Sequence, residues 1–293
     1  MAETTRKQIL LTGASGRVGR MVLRHWQAWD RARAEITPQY RDVPRPGALF
    51  WDPKDGPRAL LEHMERSGTG FDALVMLSGV TPGPGRDVGA NPIIADNTLA
   101  AAHRAGIRRV LVASSSAAYG AGDDRPLDED APCAPVNAYG AAKLEMEAVC
   151  DRWRERGIET CALRIGNVAG ADALLLNVGR ERPPPPVTLD IFGDGAGPIR
   201  SYIGARSMAE ALETLCLHPD PTPGRLNFAA PHPVTMAALA NAAGAPIRPR
   251  PAPEGAHQRI TLDCSRLVKC HAFTSSESTP IEMVRQWRAA VPA

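Results

Sequence analysis

Three glycines directly after the first apolar run constrain this chain more than any other feature. KQILLTG reads as a buried strand that ends in a glycine turn. GRVGRMVLRHWQAW follows with apolar residues at Val18, Met21, Val22, Trp26 and Trp29, close to helical period. Gly13, Gly16 and Gly19 therefore sit at a strand-to-helix junction. There the first glycine makes the turn, the second lets the backbone approach a pyrophosphate, and the third lets helix pack closely on strand. The N-terminus of the helix then faces phosphate with free N–H groups and its positive dipole end. A ligand-free βα turn could use the same glycines, but the position at the first junction favours a dinucleotide.

Strands and helices go on alternating. AEITPQYR and GALFWD read as extended, RALLEHMERSG as helix, FDALVMLSG as strand, NPIIADNTLAAAHRAGI as helix and RRVLVASSS as strand. A long helix then runs from Asn137, a candidate N-cap, to the basic turn RWRERG, before the strand IETCALRIGNV. This order predicts an α/β fold, a Rossmann-like doubly wound parallel sheet with a smaller C-terminal substrate lobe. Residues 1–165 are expected to form the nucleotide-binding domain and 166–293 mainly the substrate-binding lobe. ARSMAEALETLCLH and GRLNFAA would return the chain to the sheet at about 200–230, after a rigid loop at the four prolines 183–186.

An acidic residue at the end of the second strand commonly holds the ribose 2′-hydroxyl of NAD. Here the strand ends PQYRD, so Arg41 stands near that place and suits a 2′-phosphate, with Arg17 of the glycine turn in support. The cofactor expected is NAD or NADP, with NADP slightly favoured.

Tyr139 and Lys143, four residues apart in NAYGAAKLEME, share one face of the long helix. A neighbouring ammonium favours phenolate, which would lower the tyrosine's ordinary pKa of about 10 and fit it for proton exchange with an alcohol or ketone. The spacing alone is common by chance. What raises its weight is the preceding strand, whose SSSAAYG sets hydroxyls at the carboxyl edge of the sheet, where ligands of open parallel sheets gather.

The stretches TGASGRVG, NTLAAAHRAGIRRVLVASSSAAYG, PLDEDAPCAPVNAYGAAKLEME, LRIGNVAG and IFGDGAGPIRSYI together resemble an extended short-chain dehydrogenase/reductase of the NAD-dependent epimerase/dehydratase group. That resemblance implies that Tyr139 is the catalytic tyrosine and that Lys143 lowers its pKa and holds the nicotinamide ribose. It selects Ser115 as the catalytic serine, four residues before Tyr119, with Ser116 as the alternative and a substrate contact. The glycine turn is expected to contact the cofactor through Gly13, Ser15, Gly16, Arg17, Val18 and Gly19, and the end of the second strand through Arg41; the resemblance adds Asp52 at the adenine. Leu77, Ser78 and Gly79 would lie beside the cofactor, with Asn97 near the site. Asn167 and Arg200 would bind substrate, Arg200 gripping the diphosphate of a nucleotide sugar. Homodimerisation through the helices that carry Asn97 and Tyr139 is also implied. The chain departs from the family pattern at GARSMAE, where Arg206 and Ser207 replace an acidic segment, and at the glycine-rich loop 82–92.

Composition narrows the partners. A net charge of +2, with Lys and Arg scattered, gives no reason to expect nucleic acid or an anionic membrane surface. No apolar run approaches the roughly 18 residues that span a bilayer, and the N-terminal apolar stretch is too short for a signal peptide. The six cysteines show no paired spacing, so reduced thiols and the cytoplasm are expected, with no metal site. The leading expectation is an NAD(P)-dependent oxidoreductase or epimerase acting on a sugar or nucleotide sugar. The alternatives are a ketoreductase of a small non-nucleotide substrate and a non-catalytic nucleotide-sensing regulator. Ala117 and Ala118, where a dehydratase would carry a further acid or base, count against dehydration.

Overall fold

The computed structural model describes residues 6–121, 124–179 and 183–291. The first five residues and 180–182, which belong to segments discussed above, lie outside the described residues.

Six strands alternate with helices along the first half of the chain: β1 (Lys7–Thr12), α1 (Arg17–Ala28), β2 (Ala34–Tyr40), β3 (Leu49–Phe50), α2 (Arg58–Ser67), β4 (Ala73–Met76), α3 (Ala90–Arg104), β5 (Arg109–Ser115), α4 (Ala138–Glu155) and β6 (Glu159–Ile165). The second half contributes β7 (Asn167–Val168), α5 (Ala173–Val178), β8 (Val187–Ile191), β9 (Ile199–Arg200), β10 (Tyr202–Ile203), α6 (Ala205–Cys216) and β11 (Arg225–Phe228). It ends with β12 (Val234–Thr235), α7 (Met236–Ala242), β13 (Ile247–Pro251), β14 (Arg259–Ile260), α8 (Ser265–Cys270) and α9 (Pro280–Ala290).

The main sheet has seven strands in the order β11-β6-β5-β4-β1-β2-β3, every pairing parallel. The α/β, doubly wound architecture expected from the sequence is thus present. Its strand order reverses between β1 and β4, the place where such sheets open a crevice at their carboxyl ends. Parallel strands covered on both faces should be apolar throughout, and β4 (ALVM) is buried at all four positions. Two cores follow, one on each face of the sheet. Ile9, Leu11, Val22 and Trp26 meet Met208, Leu212 and Phe228 on one side. Leu10, Leu74, Leu99, Val112, Met146 and Trp153 form the other.

Register shapes the crevice. Thr12 pairs with Met76, and Met76 with Val112, so β1 and β4 end level. β5 runs on to Ser115, opposite Ile165 of β6, and the two stand as a wall beside the glycine turn. Outside the sheet, β8 pairs with β13 and β9 with β12 and β14. These pack with α5, α7 and α9 around a third core that includes Leu175, Leu189, Tyr202, Leu239 and Trp287.

Candidate active site at the carboxyl edge of the sheet

The glycine turn is fixed by contact. Gly13 has φ +75°, a conformation costly for any side chain, and a Cβ there would collide with the Leu77–Ser78 backbone. A Cβ on Gly19 would strike the Gly13 carbonyl, so this glycine is what lets α1 close onto the turn. The only atom near a Cβ on Gly16 would be the Gly13 oxygen, at 3.1 Å, which leaves its outer side free for a ligand. The backbone N–H of Gly13 donates to Gln39 Oε1 at 3.2 Å, while the Gln39 amide donates to the Trp51 carbonyl. Gln39 is buried and ties the turn to the second and third strands, a role that no local pattern announces.

A second loop, residues 77–81, crosses above β4. Thr12 and Ser78 share a hydroxyl hydrogen bond at 3.0 Å. Asn91, fully buried near the start of α3, accepts from Val80 N at 2.9 Å and donates to the carbonyls of Val80 at 2.9 Å and Val88 at 2.8 Å. The sequence expectation chose Asn97 on this helix. Asn97 is half-buried and does not line the cavity; Asn91 does not line it either but holds Val80, which does.

That cavity, about 240 Å³, is lined by Val18, Leu77, Gly79, Ser115, Tyr139, Lys143 and Asn167, with Val80, Thr81, Ala113, Ser114, Ile165, Gly166, Val168, Ala171 and Asp172 completing the wall. The three proposed catalytic side chains are therefore brought together. Asn137 caps α4 by accepting from Gly140 N at 2.9 Å, and the helix presents Tyr139 and Lys143 to the end of β5. Ser115 rather than Ser116 lines the cavity, because β5 ends at Ser115 and Ser116 starts a 3₁₀ turn; Ser115 Oγ accepts from Ala117 N at 3.2 Å.

Lys143 is buried and donates to the Ala113 carbonyl at 2.7 Å. With no carboxylate in direct contact, burial pushes its pKa down to about 8. Its Nζ lies 5.8 Å from the centre of the Tyr139 ring. Burial also raises the Tyr139 phenol above its ordinary value, and the hydrogen bond with Ser115 opposes this only in part. The direction is opposite to the one expected from the spacing of Tyr and Lys, since desolvation outweighs an ammonium committed to a backbone carbonyl.

Beneath Lys143, one turn along α4, Glu147 is fully buried. It accepts from Ser114 Oγ at 2.6 Å and from Arg164 Nη2 at 2.7 Å and Nε at 3.0 Å. The Arg164 guanidinium lies 4.5 Å over the Tyr119 ring, and Tyr119 donates to Asn227 Oδ1 at 2.7 Å. Tyr139, Lys143 and Glu147 at i, i+4 and i+8 was a readable signal for this residue.

The remaining sequence-based candidates stand further out. Arg41 is exposed and shares a surface cavity with Phe50, Trp51, Asp52 and Lys54. Asp52 caps the following 3₁₀ turn and pairs with Lys54 at 3.4 Å. Arg17 reaches the Ala171 carbonyl at 3.4 Å, and Ser15 is half-buried, its carbonyl accepting from Arg20. Arg200 does not line the cavity. Its guanidinium donates to the carbonyls of Ile199 at 2.8 Å, Gln258 at 2.7 Å and His257 at 2.9 Å, which fastens β14 to β9.

A glycine turn under a parallel sheet, beside a tyrosine, lysine and serine in one crevice, defines a Rossmann-type nucleotide-binding protein. Residues 9–229 match the model of the NAD dependent epimerase/dehydratase family. The chain belongs to that family. Curated relatives include the UDP-glucose 4-epimerase of Azospirillum brasilense, 38% identical over an alignment of 144 residues that covers 41% of this chain and 40% of the relative. The UDP-glucose 4-epimerase of Streptomyces lividans is 26% identical over 231 residues, 69% of each chain. The chain thus spans well under half the length of the first of these relatives. In fold it is similar to the UDP-glucose 4-epimerase of Thermus thermophilus in complex with NAD, with TM-score 0.73 and 20% identity over 97% of this chain and all of that one. Among the described residues no helix is long and apolar enough to cross a membrane, and no group of three His, Cys, Asp or Glu residues could hold a metal ion.

Proposed function

We propose that the chain is an epimerase or oxidoreductase that uses NAD or NADP to act on a hydroxyl or carbonyl carbon of a nucleotide sugar. The observation that carries this reading is the cavity in which Ser115, Tyr139 and Lys143 meet the glycine-turn residue Val18 and the 77–81 loop. The residues fit such a cofactor: Gly16 leaves room for a pyrophosphate, and Lys143, with one N–H on Ala113 and one toward Met146 Sδ, retains a donor for a ribose hydroxyl. A bound nicotinamide would supply the hydride chemistry at the sugar carbon, in an epimerase with exchange between its two faces. Tyr139 removes the hydroxyl proton as that hydride leaves and gives it back in the return step. Ser115 donates a hydrogen bond to the forming carbonyl oxygen. Lys143 supplies the positive charge that a phenolate requires. Residues 166–293 outside the sheet would hold the rest of the substrate, Asn167 from the cavity wall, and a homodimer in the cytoplasm is the accompanying expectation.

The test is to follow UDP-glucose and UDP-galactose by proton NMR with the purified protein and each cofactor. Interconversion at catalytic protein concentration is expected. With NADP preferred, Arg41→Ala should bring the two cofactor affinities level. A protein that binds neither cofactor, or binds one and leaves every nucleotide sugar unchanged, would refute the reading. Accumulation of an oxidised sugar with stoichiometric reduced cofactor would instead identify a dehydrogenase.

Lys143 makes a pH prediction. It is cationic below about pH 8 and neutral above. If its ammonium holds the cofactor, affinity should weaken as pH rises from 7 to 9.5, and Lys143→Met should flatten the profile at the weaker level. Fluorescence titration across that range checks this, and an unchanged affinity at pH 9.5 in the parent protein would contradict the role.

A further inference from the structure

Outside the crevice, a larger cavity of about 580 Å³ lies between α1, α5 and α9, within the roughly 300–1,000 Å³ usual for small-ligand pockets. Its polar side is made by four arginines and Gln27. Arg17, Arg20 and Arg24 recur at i, i+3 and i+7 and so share one face of α1, and Arg45 reaches in from the β2–β3 connection. The opposite wall is apolar: Met21, Leu175, Leu176 and Trp287.

Three of the four charges, Arg17, Arg20 and Arg24, have no carboxylate partner among the described residues. Among the described residues no Asp or Glu lines the cavity. Arg17 and Arg20 donate to the backbone carbonyls of Ala171 and Ser15, whereas Arg45 lies 4.0 Å over the Tyr40 ring and 3.9 Å from Asp42. Like charges one turn apart destabilise a helix, and cations near a helix N-terminus oppose its dipole. The first turn of α1 holds no acidic residue to offset this. An unfavourable arrangement of this kind, built around a concave and half-apolar space, is what an anion would relieve.

We propose that this cavity binds a second ligand, a small organic phosphate whose charged head meets the arginines and whose apolar tail lies on Leu176 and Trp287. Guanidinium groups offer the paired donors that phosphate oxygens accept, and the apolar wall adds selectivity against free phosphate.

Octyl phosphate is a direct probe, titrated calorimetrically into the full chain beside inorganic phosphate and octanol. Saturable binding of one octyl phosphate per chain is expected, at least tenfold tighter than either control. Arg24→Glu and Leu176→Asp should each weaken it at least tenfold while circular dichroism and cofactor affinity stay unchanged. Arg24 is only half-buried and Leu176 exposed, so neither change disturbs the core. Lack of saturable binding, equal binding of inorganic phosphate, or indifference to both substitutions would overturn the proposal. So would competition by NADP, which would show that the arginines serve the cofactor's own phosphate.

Discussion

Replacing Tyr139 with Phe is expected to lower kcat by about 10²–10⁴-fold, the usual share of a positioned acid or base, while changing cofactor affinity less than twofold. The ring keeps its place on α4, half-buried beside Ser115, and only the hydroxyl that exchanges the proton is lost. Single-turnover kinetics beside a cofactor titration separate the two readouts. Retention of more than a tenth of the activity would mean that another group moves the proton. Because burial raises the Tyr139 phenol, the parent protein should gain activity toward alkaline pH until Lys143 loses its charge. The variant's residual rate should lose that rise.

Arg164→Met should cost about 3–5 kcal/mol of stability, the penalty for leaving a buried charge without its partner. Arg164 and Glu147 are 3% and 1% exposed, so solvent cannot replace the lost bonds. Arg225 lies 3.6 Å from Glu147 but in a longer, half-exposed contact, and does not substitute for two direct hydrogen bonds. Urea denaturation measures the loss. Combining Arg164→Met with Glu147→Leu should recover most of it, because the uncompensated carboxylate is then gone. A single variant within 1 kcal/mol of the parent would show that the pair is not what holds α4 against β6.

Much of this could be read from the letters where the determinant was local. The glycines, the Asn137 cap and the Tyr139–Lys143 spacing each depend on neighbours within a turn or two, and the alternation of apolar runs with helical periods carried the sheet. What stayed hidden depends on distant chain. Arg200 is drawn away from the crevice by carbonyls 57 and 58 residues later. Gln39 takes its role from a glycine 26 residues earlier, and Asn91 from a loop 11 residues before it. The direction of the Tyr139 shift turned on desolvation, a property of the packed molecule that helical spacing does not encode.

The outermost strand has a consequence for biosynthesis. β6 is buried at its five central positions, and its outer edge is covered only by β11, which leaves the ribosome some sixty residues later. A sheet formed before Arg225–Phe228 has emerged would end in an unpaired, apolar edge of the kind that templates aggregation. Asn227, which ties β11 to Tyr119, Leu127 and Asp263, cannot complete its bonds until later still. The first half of the chain therefore completes its sheet only with residues from the second half.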